Sequence, residues 1–219
     1  MSGRQMHNTQ LELPWYFDYI SPFAYLQWHQ LRRLPANVTV SFKPVLFAGM
    51  LKHYGNLGPV EIPQKRIFVF RYIQWVAQTL DIEYRTPPAH PFNPLPALRL
   101  SIVLGNTPVA VEAIFRAIWV EGVRTDQPAA FAKLAAGLGV TDAAERIGAA
   151  EIKDALRRNT EDAIARGVFG VPTFLLGEHL FWGFDSFDFL LDCLTDPGLL
   201  DSEAMRRATT VPVGIERRR

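Results

Sequence analysis

Between Leu11 and Leu26 the hydrophobic pattern changes abruptly, and that change constrains the fold more than any other feature of the chain. The apolar run Leu11, Leu13, Trp15, Phe17 stops at Asp18. After Ser21-Pro22 the pattern takes helical spacing through Phe23, Leu26, Gln27, Gln30, Leu31 and Leu34. A strand, a short loop and a helix of about a dozen residues are expected. Ser21 has the chemistry of an N-cap, and Pro22 suits the first helical position, where an N–H is not needed. Such a helix start aims unpaired N–H groups and a partial positive charge at whatever lies beside the Ser21 hydroxyl. A Ser-Pro pair also serves plain helix initiation, so taken alone it specifies no chemistry.

Composition narrows the classes that remain. With 219 residues, 48% of them hydrophobic, and a net charge of +1, the chain reads as a soluble globular protein of one or two domains. It lacks the clustered basic excess of a nucleic-acid surface, so no nucleic-acid partner is expected. The single cysteine, Cys193, excludes an intramolecular disulfide and any Cys-x-x-Cys pair. Residues 1–10 are polar and read as a flexible tail, not a secretory signal. The most apolar stretch elsewhere, 67–80, carries Arg71, Gln74 and Gln78 and is too short to span a bilayer. A cytoplasmic location without a membrane partner is the simplest expectation.

Residues 38–45 are β-branched with partial alternation and predict a second strand, with Pro44 at its end or edge because proline cannot donate to a ladder. From Phe47 to about Thr160 the strand pattern disappears. Ile67, Phe70, Ile73, Ala77 and Leu80 keep helical spacing, while Phe68, Tyr72 and Trp75 lie on another side. A helix apolar on more than one face is expected between packed neighbours. The run 87–96, with five prolines, predicts an extended loop. Further helices are expected from Pro108, from Pro128, after Thr141 or Asp142, and over 151–166, the last stopped by Gly167. Residues 172–176, the turn signal Gly177-Glu178 and residues 179–182 predict a hairpin. Asp185 is expected to cap a last helix bearing Phe187, Leu190, Leu191 and Leu194. The tail from 197 to 219 is polar, ends in three arginines and reads as solvated.

Few residues carry recognisable chemistry. The five histidines, His7, His29, His53, His90 and His179, show no metal-ligand spacing, and no metal site is expected. There is no Gly-rich phosphate loop and no nucleophile elbow. His29 lies two turns beyond Ser21 on the same expected helix, too far to act as its base. What Ser21 can do without a base is donate a hydrogen bond to an anion.

Several segments together resemble the thioredoxin-related family of 2-hydroxychromene-2-carboxylate isomerases and kappa-class glutathione transferases. They are Phe17-Asp18 with Ser21-Pro22 and Tyr25-Leu26, then Phe42-Lys43-Pro44, then Asn56 with Lys65. Farther on come the run from Gly167 to Phe174 and the run Phe181-Trp182-Gly183-Phe184-Asp185. The resemblance implies a thioredoxin-like α/β fold built from 11–46 and 160–196, with an all-helical insertion over 47–159. It implies glutathione as cofactor. Ser21 would hold its thiolate, while the backbone of Val171 beside Pro172, expected to be cis, would pair with its cysteinyl unit. Asp185 would meet its γ-glutamyl end, and Asn56 and Lys65 would reach in from the insertion. Relatives commonly carry a polar residue before that acid and Arg after it, where this chain has Phe184 and Ser186. Lys43 is a candidate for a substrate carboxylate, and Phe47, Trp75, Trp182 and Phe92 are candidate walls of an aromatic pocket, although core packing suits each of them too.

These expectations lead first to a glutathione-dependent isomerase of aromatic enones carrying a carboxylate. A kappa-like glutathione transferase or peroxidase is the near alternative. A redox-inactive thioredoxin-fold binding module is the alternative of another class. The aromatic excess of the insertion suggests a homodimer.

Overall fold

The strand predicted at Leu11 forms as β1, Leu11–Phe17, because Leu13, Trp15 and Phe17 all find cover on one side of a sheet. The computed structural model describes residues 10–215. Nearly all of the expected N-terminal tail, and Arg217-Arg218-Arg219, lie outside the described residues. Three further strands complete the sheet: β2 (Val38–Pro44), β3 (Thr173–Leu176) and β4 (His179–Trp182). Their order is β2-β1-β3-β4, with β1 parallel to β2 and the other two pairs antiparallel. Helix α1 (Pro22–Trp28) connects the parallel pair, and Pro44 ends its strand as expected.

Between β2 and β3 come seven helices: α2 (Phe47–Tyr54), α3 (Pro63–Thr79), α4 (Leu95–Val103), α5 (Pro108–Trp119), α6 (Pro128–Gly137), α7 (Ala143–Arg146) and α8 (Ala150–Ala165). Helices α9 (Phe187–Thr195) and α10 (Glu203–Thr209) follow the hairpin. The result is the thioredoxin-like arrangement with a helical insertion that the sequence predicts.

Strand register sorts side chains into two rows with different fates. One row runs Phe42, Trp15, Phe174, Phe181 across all four strands. Trp15 stands at its centre, fully buried, with ring centroids of Phe42 and Phe174 at 5.9 and 6.1 Å and Phe115 of α5 at 6.2 Å. The neighbouring row, on the opposite face, runs Lys43, Tyr16, Thr173, Trp182. There the Tyr16 hydroxyl donates to Asp162 of α8 at 3.2 Å, and burial beside that carboxylate pushes the phenol up to about 12.

Several expectations need correction. α1 has seven residues, not a dozen; His29 caps its C-terminus and Leu31–Arg33 continue as a separate 3-10 turn. α2 and α4 were not anticipated: α4 begins inside the proline run, with Pro96 in its first turn, where its missing N–H is harmless. α3 is not sandwiched, because Ile67, Phe68 and Trp75 are 56%, 66% and 59% exposed. The expected boundary at 159/160 falls within α8, a continuous helix whose Asn159 Nδ2–H donates to Pro44 O at 3.1 Å. Asp185 caps no helix; it lies inside the 3-10 turn Phe184–Ser186, and Ser186 precedes α9. The chain turns there because Gly183 takes φ +92°, a conformation that L side chains avoid. The tail beyond Asp196 is not wholly irregular, since Ser202 Oγ caps α10 by accepting from Met205 N–H at 3.4 Å.

Candidate active site at the Ser21 corner

Four residues connect β1 to α1, and their backbone is gripped from several sides. Asp18 is fully buried; Oδ1 accepts from Ile20 N–H at 3.0 Å and Oδ2 accepts from Phe47 N–H, at the start of α2, at 2.9 Å. Burial pushes its carboxyl up to about 7, and the two donors pull only part of the way back. The Tyr19 carbonyl accepts from Trp119 Nε1–H at 3.0 Å, while its hydroxyl donates to Ser101 Oγ at 3.0 Å. The Ile20 carbonyl lies 2.8 Å from His90 Nε2. A carbonyl only accepts, so Nε2 carries the hydrogen. Burial holds the His90 pKa below its ordinary value, with the bond to Ile20 opposing it and Arg66 adding to it, which favours the neutral ring.

Ser21 follows at φ −88° and ψ 112°, the N-cap geometry that its sequence predicts. Its N–H donates to Asp18 O at 3.0 Å, and its Oγ accepts from Ala24 N–H at 3.2 Å. That bond uses the oxygen as an acceptor and leaves the hydroxyl hydrogen free to donate. Ser21 is 7% exposed.

The loop before β3 arrives at the same end of the sheet. Tyr16 pairs with Thr173 in the antiparallel register, so Val171-Pro172, just before β3, and the corner that follows Phe17 lie beyond the same end of the two strands. The Val171-Pro172 peptide is cis, as expected. Pro172 O accepts from Gly183 N–H at 2.9 Å, whereas the N–H and C=O of Val171 have no partner among the described residues. Gln27 of α1 ties this loop to the core: its Nε2–H donates to Gly183 O at 2.9 Å and its Oε1 accepts from Trp15 Nε1–H at 2.6 Å. A Cβ at Gly170 would clash with the indole of Trp182, so a larger residue there must displace that ring.

All of the predicted site residues except Lys43 and Trp75 fall into three groups. Ser21, Val171, Pro172 and Phe47 gather at the corner, Phe47 through its backbone N–H. Trp182, Phe184 and the exposed Asp185 lie in the segment bonded to the Pro172 loop, and the Phe169 and Trp182 rings meet at 5.1 Å. Asn56 and Lys65 are exposed, in the loop after α2 and the first turn of α3.

Lys43 and Trp182 occupy one row but opposite edges of the sheet, three strand spacings or about 14 Å apart. The structure does not bring these two together. Trp75 is exposed on α3, beside a surface depression of about 370 Å³ lined by Phe70, Arg71, Gln74, Gln78 and Thr86. Phe92 is buried, with its ring 5.8 Å from His90, so it is core.

Sequence reading missed Asp18 and His90 as parts of the site. A charge that ends an apolar strand is a signal that could have exposed Asp18. His90 sits in a proline-rich stretch with no periodicity, and only tertiary contact reveals it. Among the described residues no group of three or more His, Cys, Asp or Glu side chains could hold a metal, and Cys193 is buried in α9 without a partner thiol.

A thioredoxin-like sheet whose strand–helix corner reads Ser21-Pro22-Phe23-Ala24 defines a thioredoxin-class protein without dithiol chemistry at that corner. The model of the DSBA-like thioredoxin domain matches residues 12–195, and the chain belongs to that family. It is 29% identical over 179 residues to a 2-hydroxychromene-2-carboxylate isomerase of Pseudomonas sp. (strain C18), covering 78% of this chain and 84% of the relative. It is also 29% identical over 175 residues to glutathione S-transferase kappa 2 of Caenorhabditis elegans, covering 72% and 77%. A solved 2-hydroxychromene-2-carboxylate isomerase superposes with a TM-score of 0.77 at 23% identity, covering 92% of this chain and all of that one, and so shares the fold. Among the described residues no helix is long and apolar enough to cross a membrane.

Proposed function

We propose that this protein is a glutathione-dependent isomerase acting on an aromatic enone that carries a carboxylate, as the name of its isomerase relatives suggests. One observation carries the reading: the free hydroxyl hydrogen of Ser21 and the unpartnered backbone of Val171 converge at one end of the sheet. A peptide-like thiol fits that pair, its backbone adding a short strand against Val171 and its sulfur meeting the Ser21 donor. Bound glutathione would supply a thiolate that adds reversibly to the conjugated carbon, so that the former double bond rotates before the sulfur leaves.

The chain's own residues make that possible. A thiol with pKa near 8.5 is only a few per cent ionised at pH 7. Lowering it by about 2 units raises the thiolate roughly 25-fold and needs about 2.7 kcal/mol of differential stabilisation. A hydroxyl donor to a charged sulfur in a largely buried corner is a source of that order. Asp185 would pair with the γ-glutamyl ammonium, and Lys65 with Asn56 would meet the glycyl carboxylate. Trp182 beside the Pro172 loop would stack on the aromatic substrate. Phe47, next to the same corner, would wall the pocket. Lys43 would take the substrate carboxylate only if that group reaches β2, the far edge of the sheet from Trp182. A homodimer would use the exposed apolar face of α3.

Difference absorbance tests the reading. Glutathione titrated against wild type at neutral pH should develop the thiolate band, and Ser21→Ala should lose most of it. A thiolate band in wild type without turnover of 2-hydroxychromene-2-carboxylate would favour a transferase-like chemistry instead. No thiolate in wild type would leave a peptide-binding module as the better account.

A further inference from the structure

Ser21 can donate usefully only if its hydroxyl points along a fixed line, because hydrogen bonds weaken steeply as the angle closes. The direction of its Cα–Cβ bond is set by the peptide planes on either side. Both polar groups of the preceding residue, Ile20, are bonded to titratable side chains: its N–H donates to Asp18 Oδ1 at 3.0 Å, and its C=O accepts from His90 Nε2 at 2.8 Å. We propose that Asp18 and His90 are positioning residues for Ser21, gripping Ile20 from two sides and so fixing the line of the hydroxyl.

The two grips come from different parts of the chain. Asp18 belongs to the corner itself, and through Oδ2 it also holds the start of α2. His90 comes from the loop before α4, seventy residues away in sequence. Its ring is hemmed by Phe70 of α3 at 5.3 Å, Phe92 at 5.8 Å and Trp119 of α5 at 5.9 Å, so it has little room to swing. Trp119 in turn donates to Tyr19 O, one residue before Ile20. The helical insertion thereby reaches the corner through His90 and Trp119 and does more than wall a cleft. The charge that bears on the His90 ring is Arg66 of α3, which together with burial favours the neutral form that donates through Nε2 alone.

This inference rests on the reading of Ser21 as the donor to a bound thiolate, and the experiment separates the two. The probe is glutathione, and the readout is the pKa of its bound thiol followed by thiolate absorbance. His90→Phe keeps the aromatic packing and removes the donor; it should raise that pKa by about one unit, cutting thiolate at pH 7 roughly threefold. His90→Gln, which can place an N–H near the same point, should recover most of the loss. In a Ser21→Ala background His90→Phe should add nothing, because the two act on one bond. Folded His90→Phe with the wild-type thiol pKa overturns the proposal, and so does strict additivity with Ser21→Ala. Should His90→Phe not fold, nitrogen-15 NMR of wild type decides: the Nε2–H tautomer at neutral pH is required, and the Nδ1–H tautomer would overturn the grip. Absence of thiolate in wild type is a different failure, that of the glutathione reading itself.

Discussion

The Ser21 corner and the outer face of α3 treat their side chains in opposite ways. At the corner a carboxylate, an imidazole and a hydroxyl are taken out of water, with Asp18 fully buried and Ser21 7% exposed, and hydrogen bonds reach each of them, although the buried Nδ1 of His90 has no partner among the described residues. On α3 the exposed groups are apolar: Phe68 is 66% exposed and stacks on Tyr72 at 5.9 Å, with Trp75 beyond it. Buried polar groups in fixed geometry suit chemistry, since their directions are held in advance. Exposed apolar groups suit association, since burying them needs a second surface. The two regions should therefore fail in different assays.

The largest effect is expected beneath the corner. Trp15→Ala removes the centre of the aromatic row and the donor to Gln27, and should cost about 3–5 kcal/mol in urea unfolding. Little change there would mean that the row does not support the corner.

Asp18 gives the next effect, through pH. Its carboxyl is pushed from 3.8 to about 7, so the folded chain holds a proton that the unfolded chain has already released. The stabilising contribution is fully present below pH 3.8 and is lost as pH rises to about 7. Unfolding measured across that window should show wild type losing ground to Asp18→Asn as pH rises, by at most about 4 kcal/mol, with no further change above it. A constant difference between the two proteins would show that the carboxyl is not desolvated.

Ser21→Ala comes third, with bound thiolate at pH 7 falling by up to about 25-fold while stability changes by no more than about 2 kcal/mol, the loss of one cap. Gly170→Ala should displace Trp182, cost about 1–3 kcal/mol by overpacking, and alter substrate affinity more than thiol pKa. The smallest effect on monomer stability, within about 0.5 kcal/mol, is expected for Phe68→Ser with Trp75→Ser. On the proposed homodimer reading, that pair should instead shift sedimentation toward the monomer, and an unchanged sedimentation coefficient would overturn that reading. Loss of thiolate in this variant, with the protein still folded, would break the distinction between the two regions.

Much of the molecule was legible before any coordinates. The apolar run from Leu11 to Phe17, broken at Asp18, marked β1, and the hairpin signal at Gly177-Glu178 marked β3 and β4, because their cause lies within a few adjacent residues. The N-cap at Ser21 is local in the same sense. α4 was hidden because five prolines in ten residues mask a helix that tolerates one of them in its first turn. α3 was misjudged because apolar periodicity shows how many faces a helix has, not whether each one is covered.

The site divides along the same line. Local pattern determined a strand–helix corner capped by Ser21, and a single cysteine excluded dithiol chemistry. Tertiary structure decided which groups meet there. The antiparallel pairing of β1 with β3 brings the loop before β3 to the same end of the sheet as the Ser21 corner, and the path of the insertion delivers His90 to Ile20. The strand order holds Lys43 and Trp182 at opposite edges of the sheet. Contacts between residues far apart in the chain are fixed by how whole elements pack, and neither composition nor spacing records that packing.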